Sequence, residues 1–364
     1  MDIADLLRYA AERGASDLHL SAGNTPFIRV DGELLPAAFP VPDAGDTEEA
    51  AETLMPAHKK REFARTNEAD FAYAMDGVGR FRINVLRQRG TVALAVRRVA
   101  SEGQTFEELN LPQTIQTLAD ARRGLVLVTG PTGAGKTTTI ASMIGFINRT
   151  RRSHIVTIED PVEVVFTDDM SVIWQREIGP DTESYAAALR QALRQDPDVI
   201  FVGEIRDADS AIAAIQAAQT GHLVLSTMHT IDATETISRV VELFPQRQQQ
   251  QVRTSLAGAL RGIVSQRLLE RIDGRGRIPA VEILLNTGRV YERILDAESA
   301  ADLVEVIAES GFDGMQTFDQ GLVKLVRDGL VAEEDARAVA TNPHDLSLAL
   351  GGTLVHTAVV PEGA

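Results

Sequence analysis

The stretch Gly130-Pro131-Thr132-Gly133-Ala134-Gly135-Lys136-Thr137 constrains this chain more than any other part of it. It fits G-x-x-x-x-G-K-[ST]. It also stands between the apolar run Leu125 to Thr129 and a helical pattern with Ile140, Ile144 and Ile147 on one face. Such a loop needs a strand before it and a helix after it. Its glycines let backbone N–H groups turn inward on a phosphate, and the helix N-terminus adds the positive end of its dipole. Lys136 is then expected to reach the β and γ oxygens of ATP and the Thr137 hydroxyl to ligate Mg²⁺, with Thr138 beside them in the binding loop. The chain has only four Lys against 32 Arg, so a lysine at this position carries weight.

The surrounding pattern assigns an α/β fold. Strands are expected at Ile155 to Ile158, Val199 to Val202, Leu223 to Ser226 and Ala280 to Leu285, separated by helical segments, as in a mainly parallel sheet. The run Val252, Leu256, Leu260, Ile263, Val264 is spaced as one helix, with Gln248 to Gln251 on its solvated side. Beyond about Asp296 only helices are expected.

Ahead of the loop the pattern differs. A short helix over 2–13 and strands at Asp17 to Leu20 and Phe27 to Val30 precede a helical stretch over 47–65. From Phe71 to Val99 the period is two, with Phe81, Ile83 and Val85 on one face and Arg80, Arg82 and Asn84 on the other. The expected division is a small α+β domain over 1–100, a linker over 101–112, the ATPase domain with C-terminal helices over 113–340, and a loosely ordered tail over 341–364.

Two apolar strands end on acids, at the edge where open α/β sheets gather ligands. One gives Glu159-Asp160-Pro161-Val162-Glu163, the other Val202-Gly203-Glu204. Glu204 is the expected Walker B acid, holding Mg²⁺ directly or through water. Glu163 is the expected residue that orients or deprotonates the attacking water.

Composition excludes several alternatives. A net charge of -16 argues against a nucleic-acid track, and the absence of cysteine removes disulfides, thiolate zinc sites and a thiol nucleophile. The acidic start Met1-Asp2-Ile3-Ala4-Asp5 does not suit a signal peptide, and no run of apolar residues is long enough to span a bilayer, so a cytoplasmic protein is expected.

The run Thr220-Gly221-His222-Leu223-Val224-Leu225-Ser226-Thr227-Met228-His229-Thr230 resembles the His box of type II/IV secretion ATPases. Ile158 to Glu163 is similar to their Asp box and Gly203-Glu204-Ile205-Arg206-Asp207 to their Walker B end, in the family's order. Ala15 to Ser21, Arg80 to Asn84, Arg87 to Gly90 and Gly314 to Thr317 extend the likeness over about residues 1 to 340, toward the branch that retracts type IV pili.

The resemblance implies a PAS-like N-terminal domain before a RecA-like P-loop ATPase domain, assembled as a homohexamer with each nucleotide between two domains. It implies that His222 and His229 sense the γ-phosphate or shape the site, and that Arg82 and Arg97 reach a nucleotide across a subunit boundary. Its implied partners are an inner-membrane pilus platform protein, through which alone the membrane is touched, and a paralogous motor ATPase. No nucleic acid is among them. The short N-terminal region and the lack of cysteine match the retraction branch rather than assembly ATPases. Arg289-Val290-Tyr291-Glu292-Arg293-Ile294 departs from that branch's usual segment and keeps an accessory motor open.

Overall fold

Helix α1 (Ile3–Glu12) starts where the Asp2 carboxylate accepts the Ala4 amide, and it buries Ile3, Leu6, Leu7 and Ala10. The computed structural model describes residues 2–30, 32–101, 103–296 and 302–351. After α1 come β1 (Asp17–Ser21), β2 (Phe27–Val30) and β3 (Glu33–Pro36), then α2 (Ala44–Leu54) and α3 (Ala57–Thr66). The single helix expected over 47–65 is two, because Pro56 cannot donate into a continuous helix and serves instead as the cap of α3.

Strands β4 (Glu68–Met75), β5 (Gly79–Gln88) and β6 (Thr91–Arg98) form the expected meander, followed by the short β7 (Ala100–Ser101). The order β3-β2-β1-β6-β5-β4 is antiparallel throughout. One face packs Leu18, Leu20, Ile28, Phe81, Ile83 and Val85 against the helices; the other is polar. This small α+β unit comprises Met1–Glu102 with Pro161–Val165.

The second unit comprises Gly103–Asp160 and Phe166–Ala364. Phe106 and Leu111, expected in a free linker, are buried in its core, so the stretch after Glu102 belongs to this unit. Its first elements are α4 (Gln113–Ala119), β8 (Gly124–Thr129), α5 (Lys136–Thr150) and β9 (His154–Glu159). The chain then forms β10 (Val164–Val165), which pairs with β7 of the N-terminal unit, before β11 (Val172–Glu177), α6 (Tyr185–Ala192), β12 (Val199–Val202) and α7 (Ala208–Gln219). There follow β13 (Leu223–Met228), α8 (Ala233–Glu242), α9 (Gln246–Ala259), β14 (Leu260–Glu270) and β15 (Arg277–Leu285). Helices α10 (Gly288–Leu295), α11 (Leu303–Glu309), α12 (Phe318–Arg327), α13 (Glu333–Val339) and α14 (Pro343–Ala349) complete it.

The sheet order is β11-β9-β12-β13-β8-β14-β15, with every pair parallel except the final hairpin. Strands β8, β12 and β13 are apolar on both faces because helices cover both. Leu125, Leu127, Ile200 and Val224 meet one helical layer that includes α7 to α9, and Val126, Val128, Phe201 and Leu225 meet α4 and α5.

Two further expectations are corrected. The helix read through Val264 ends at Ala259, and Leu260, Ile263 and Val264 lie on β14; Gly262 admits the Leu284 carbonyl at a distance no Cβ tolerates. The stretch 341–364 is not loose from its start, since α14 is capped by the Asn342 side chain and buries Leu346; from residue 352 on it lies outside the described residues. Among the described residues, no helix is long and apolar enough to cross a membrane.

Candidate nucleotide site

Parallel register brings the strand ends to one edge. Thr129 lies opposite Met228 and Val202 lies opposite Ile158, so the phosphate loop, Glu159-Asp160, Gly203-Glu204 and His229 all leave the sheet on the same side. The loop turns at Gly130, whose φ is +145°, and enters α5 through Gly135 in the left-handed region. Lys136 is buried, its ammonium donating to the carbonyls of Gly130 at 2.9 Å and Pro131 at 3.1 Å. Pro131, Thr132 and Gly133 are exposed, Ala134 is buried, and Thr137 is half-buried in the first turn of α5.

Gln266, on β14, holds the loop from behind. Its side chain donates to the Ala134 carbonyl at 2.5 Å and accepts from Thr139 Oγ1 at 2.9 Å, and it is almost fully buried. This residue was not foreseen, because only tertiary structure brings β14 beside β8. A cavity of about 550 Å³ opens next to the loop, lined by Gly135, Thr138, Gln266, Leu109, Arg271 and Arg277. Its size and mixed lining suit the nucleoside end of a nucleotide whose phosphates lie in the loop.

The acids divide. Glu204 joins Arg206 at 2.7 Å and His229 Nε2 at 3.4 Å, with little of its side chain exposed. Glu159, buried at the end of β9, accepts from Thr157 Oγ1 at 2.6 Å and Gln175 Nε2 at 3.2 Å. Tyr185, also not foreseen, has its phenol beside Gly203; burial and then the Asp160 carboxylate push its pKa far up, with Glu204 and Glu159 adding to this. Glu163 is exposed on Pro161–Val165, which groups with the N-terminal unit rather than the sheet that carries Lys136.

The two histidines are not brought together, against the expectation that both shape one site. His222 precedes β13 and His229 follows it, so a whole strand separates them. His222 Nδ1 lies 2.9 Å from the Ala217 carbonyl and 3.2 Å from Thr220 Oγ1, at the sheet end remote from the loop.

In the N-terminal unit, Arg82 and Arg97 stand directly opposite one another on β5 and β6, and Asp17 stands opposite Arg97. Arg82 bonds Asp70 at 2.5 Å and Arg97 bonds Asp17 at 2.8 Å. Burial pushes the Asp17 carboxyl up, but bonds from Arg97 and Ser16 outweigh it and hold the group below its ordinary value. These residues, with His19 and Asn84, line a cavity of about 280 Å³ on the polar sheet face.

No cluster of three or more His, Cys, Asp or Glu side chains suitable for a metal occurs among the described residues. The donors at this edge, a hydroxyl at Thr137 and a carboxylate at Glu204, fit Mg²⁺, which accepts few protein ligands and takes the rest from phosphates and water.

A parallel sheet that delivers a glycine-rich phosphate loop, a strand-end glutamate and a histidine to one edge defines a P-loop nucleotide-binding protein. The chain belongs to the type II/IV secretion system protein family, whose model matches residues 68–348. It is 41% identical over 345 residues to the type IV pilus retraction ATPase PilT of Pseudomonas aeruginosa, covering 95% of this chain and 100% of that protein. It is 39% identical to the type IV pilus ATPase PilU of the same organism, covering 96% and 91%. The crystal structure of the pilus retraction motor PilT with bound ADP superposes with a TM-score of 0.86 at 45% identity, over 96% of this chain and 99% of that one.

Proposed function

We propose that this chain is a motor ATPase that powers type IV pilus retraction and twitching motility. The observation that carries the reading is the common sheet edge, where Lys136, poised on the carbonyls of its own loop, shares a face with Glu204 and His229. ATP binds with its phosphates in the loop, Lys136 replacing the Gly130 and Pro131 carbonyls with β and γ oxygens. Thr137 and Glu204 would hold Mg²⁺, which would supply positive charge beside those oxygens. Glu163 orients or deprotonates the attacking water, and His229 reports the γ-phosphate to Glu204.

Arg82 and Arg97 leave their aspartate partners for the nucleotide of a neighbouring copy in a homohexamer. The Arg82–Asp70 pair is about half exposed on both sides, and such pairs contribute only about 0–1 kcal/mol; in the second pair Arg97 is exposed while Asp17 is mostly buried. The ring works in the cytoplasm at the pilus base, touching the membrane only through an inner-membrane platform protein. The likeness to PilT and to the ADP-bound retraction motor supports this reading. Turnover of Mg-ATP by the purified chain, with its mass in solution, tests it; a monomer working at full rate would overturn the ring.

A second reading, an accessory motor beside a paralogous ATPase, is favoured by α10. Its Val290 and Ile294 are buried while Arg289, Tyr291 and Glu292 are exposed in place of the usual retraction segment. Deleting the gene separates the two. Surplus pili with lost motility mean a retraction motor, and pili that still retract without it mean an accessory one.

A further inference from the structure

Glu282 is a carboxylate that the proposed reaction leaves unused. It lies on β15 opposite Ser265 of β14 and is only 6% exposed. Its Oε1 accepts the N–H of Ala233, the first residue of α8, at 2.7 Å, and the backbone N–H of Phe318, the first residue of α12, also favours its ionised form. The caps of these helices answer other amides: Asp232 accepts from Glu235 N and Thr317 from Gln320 N. The first amide of α8 would be orphaned in the interior without Glu282.

What the two helices carry gives this bridge a consequence. Only Thr230, Ile231 and Asp232 separate His229 from α8, and they are fastened to it: Thr230 and Thr236 share a hydroxyl hydrogen bond of 2.6 Å, and Ile231 N donates to Glu235 at 2.8 Å. His229 in turn faces Glu204. On the other side, α12 opens the C-terminal helices, whose Leu322 and Ala336 pack on Leu269 and Ile278 of the hairpin. Arg267 lies over the Phe318 ring at 4.3 Å and donates to the Val339 carbonyl at 2.8 Å. A chain of bonded groups therefore runs from Glu282 through the start of α8 to His229 and Glu204, and the first amide of α12 acts on the same carboxylate.

We propose that Glu282 is a positioning residue: by tying α8 to α12 it sets His229 against Glu204 and couples the strand-end acid to the placement of the C-terminal helices. The proposal rests on the reading of Glu204 and His229 as part of the reacting site. Its electrostatics add a pH dependence. Burial raises the Glu282 carboxyl to about 7, the Ala233 amide opposes this, Asp232 adds to it, and Arg267 and the Phe318 amide oppose it. Arg267 from β14 and Asp232 from the cap of α8 are the charged groups acting on it, while α12 presents a backbone amide. The ionised form accepts the Ala233 amide and attracts the Phe318 amide more strongly, so the link tightens as pH rises through that value.

The test compares the full-length chain with Glu282→Gln and Ala233→Pro. Glutamine sets an NH₂ group against one of the amides, whereas proline suits the first helical position and deletes only the N–H. Each is expected to lower kcat about tenfold with little change in KM for ATP, since a small misplacement of reacting groups acts on the chemical step. Wild-type kcat should fall on the acid side of neutrality, and Glu282→Gln should lack that limb. Hydrogen exchange over residues 229–236 should rise in both variants. Wild-type kcat in both variants, a change in KM alone, or an acid limb retained by Glu282→Gln would each overturn the proposal. If the wild type shows no turnover, the motor reading fails, and unchanged exchange over 229–236 would independently reject the link.

Discussion

Glu282 keeps its proton up to about pH 7 in the folded protein, against an ordinary value of 4.5. Between those values the native state binds a proton that the unfolded chain has released. The stability linked to this group is therefore complete at acid pH and is lost as pH rises through the folded value. The loss is about 3 kcal/mol. Glu282→Gln removes the dependence, so its stability relative to wild type should rise from about pH 5 to about pH 8, followed by urea unfolding at each pH. Parallel profiles for the two proteins would contradict it. Gly130 makes the second argument at this scale: with φ at +145°, a Cβ would stand 2.3 Å from the Gln266 carbonyl oxygen, which is backbone and cannot swing away. Gly130→Ala should cost about 2 kcal/mol or more, read as a lower urea midpoint at unchanged slope.

At the scale of elements, β14 joins the loop to the C-terminal helices. Successive side chains point to opposite faces, so Gln266 reaches the phosphate loop while Arg267 reaches α12 and α13. Gln266→Ala leaves the Ala134 carbonyl and the Thr139 hydroxyl without their partner, at a cost of about 1–3 kcal/mol. It should raise KM for ATP about tenfold while kcat changes less, checked by steady-state kinetics, because the loop's binding geometry loosens ahead of the chemistry. This strand was also the hardest to read. Val252, Leu256, Leu260 and Ile263 keep helical spacing across the junction at Ala259 and Leu260, even though Gly258 and Gly262 flank it. The fully buried strands β8, β12 and β13 were legible as apolar runs, and the phosphate loop and Glu204 as motifs bounded by them. His222 and His229 stand at opposite ends of the intervening strand Leu223–Met228, a separation legible in the apolar run between them. The partners of Arg97 and Glu282 lie far off in sequence, 80 and 49 residues away for Asp17 and Ala233, and periodicity carries no information at that range.

For the whole molecule, Arg82, Arg97 and Glu163 belong to one unit and Lys136, Glu204 and His229 to the other. A ring whose nucleotide is completed by a neighbour's arginines turns this division into a measurable property. Lys136→Ala subunits lack a working phosphate loop but still offer their arginines; subunits with Arg82→Ala and Arg97→Ala keep the loop and offer none. Each protein alone should be inactive. Mixed in equal amounts and allowed to exchange, a site is complete only where an intact loop borders an intact pair of arginines, so turnover should recover to about a quarter of wild type if placement is random and sites act independently. Arginines acting within their own chain give a different result, since no subunit in the mixture then carries both parts and turnover stays at the level of the separate variants. The mixing curve, taken across ratios and read as Mg-ATP hydrolysis, therefore decides whether the active unit is one chain or the boundary between two.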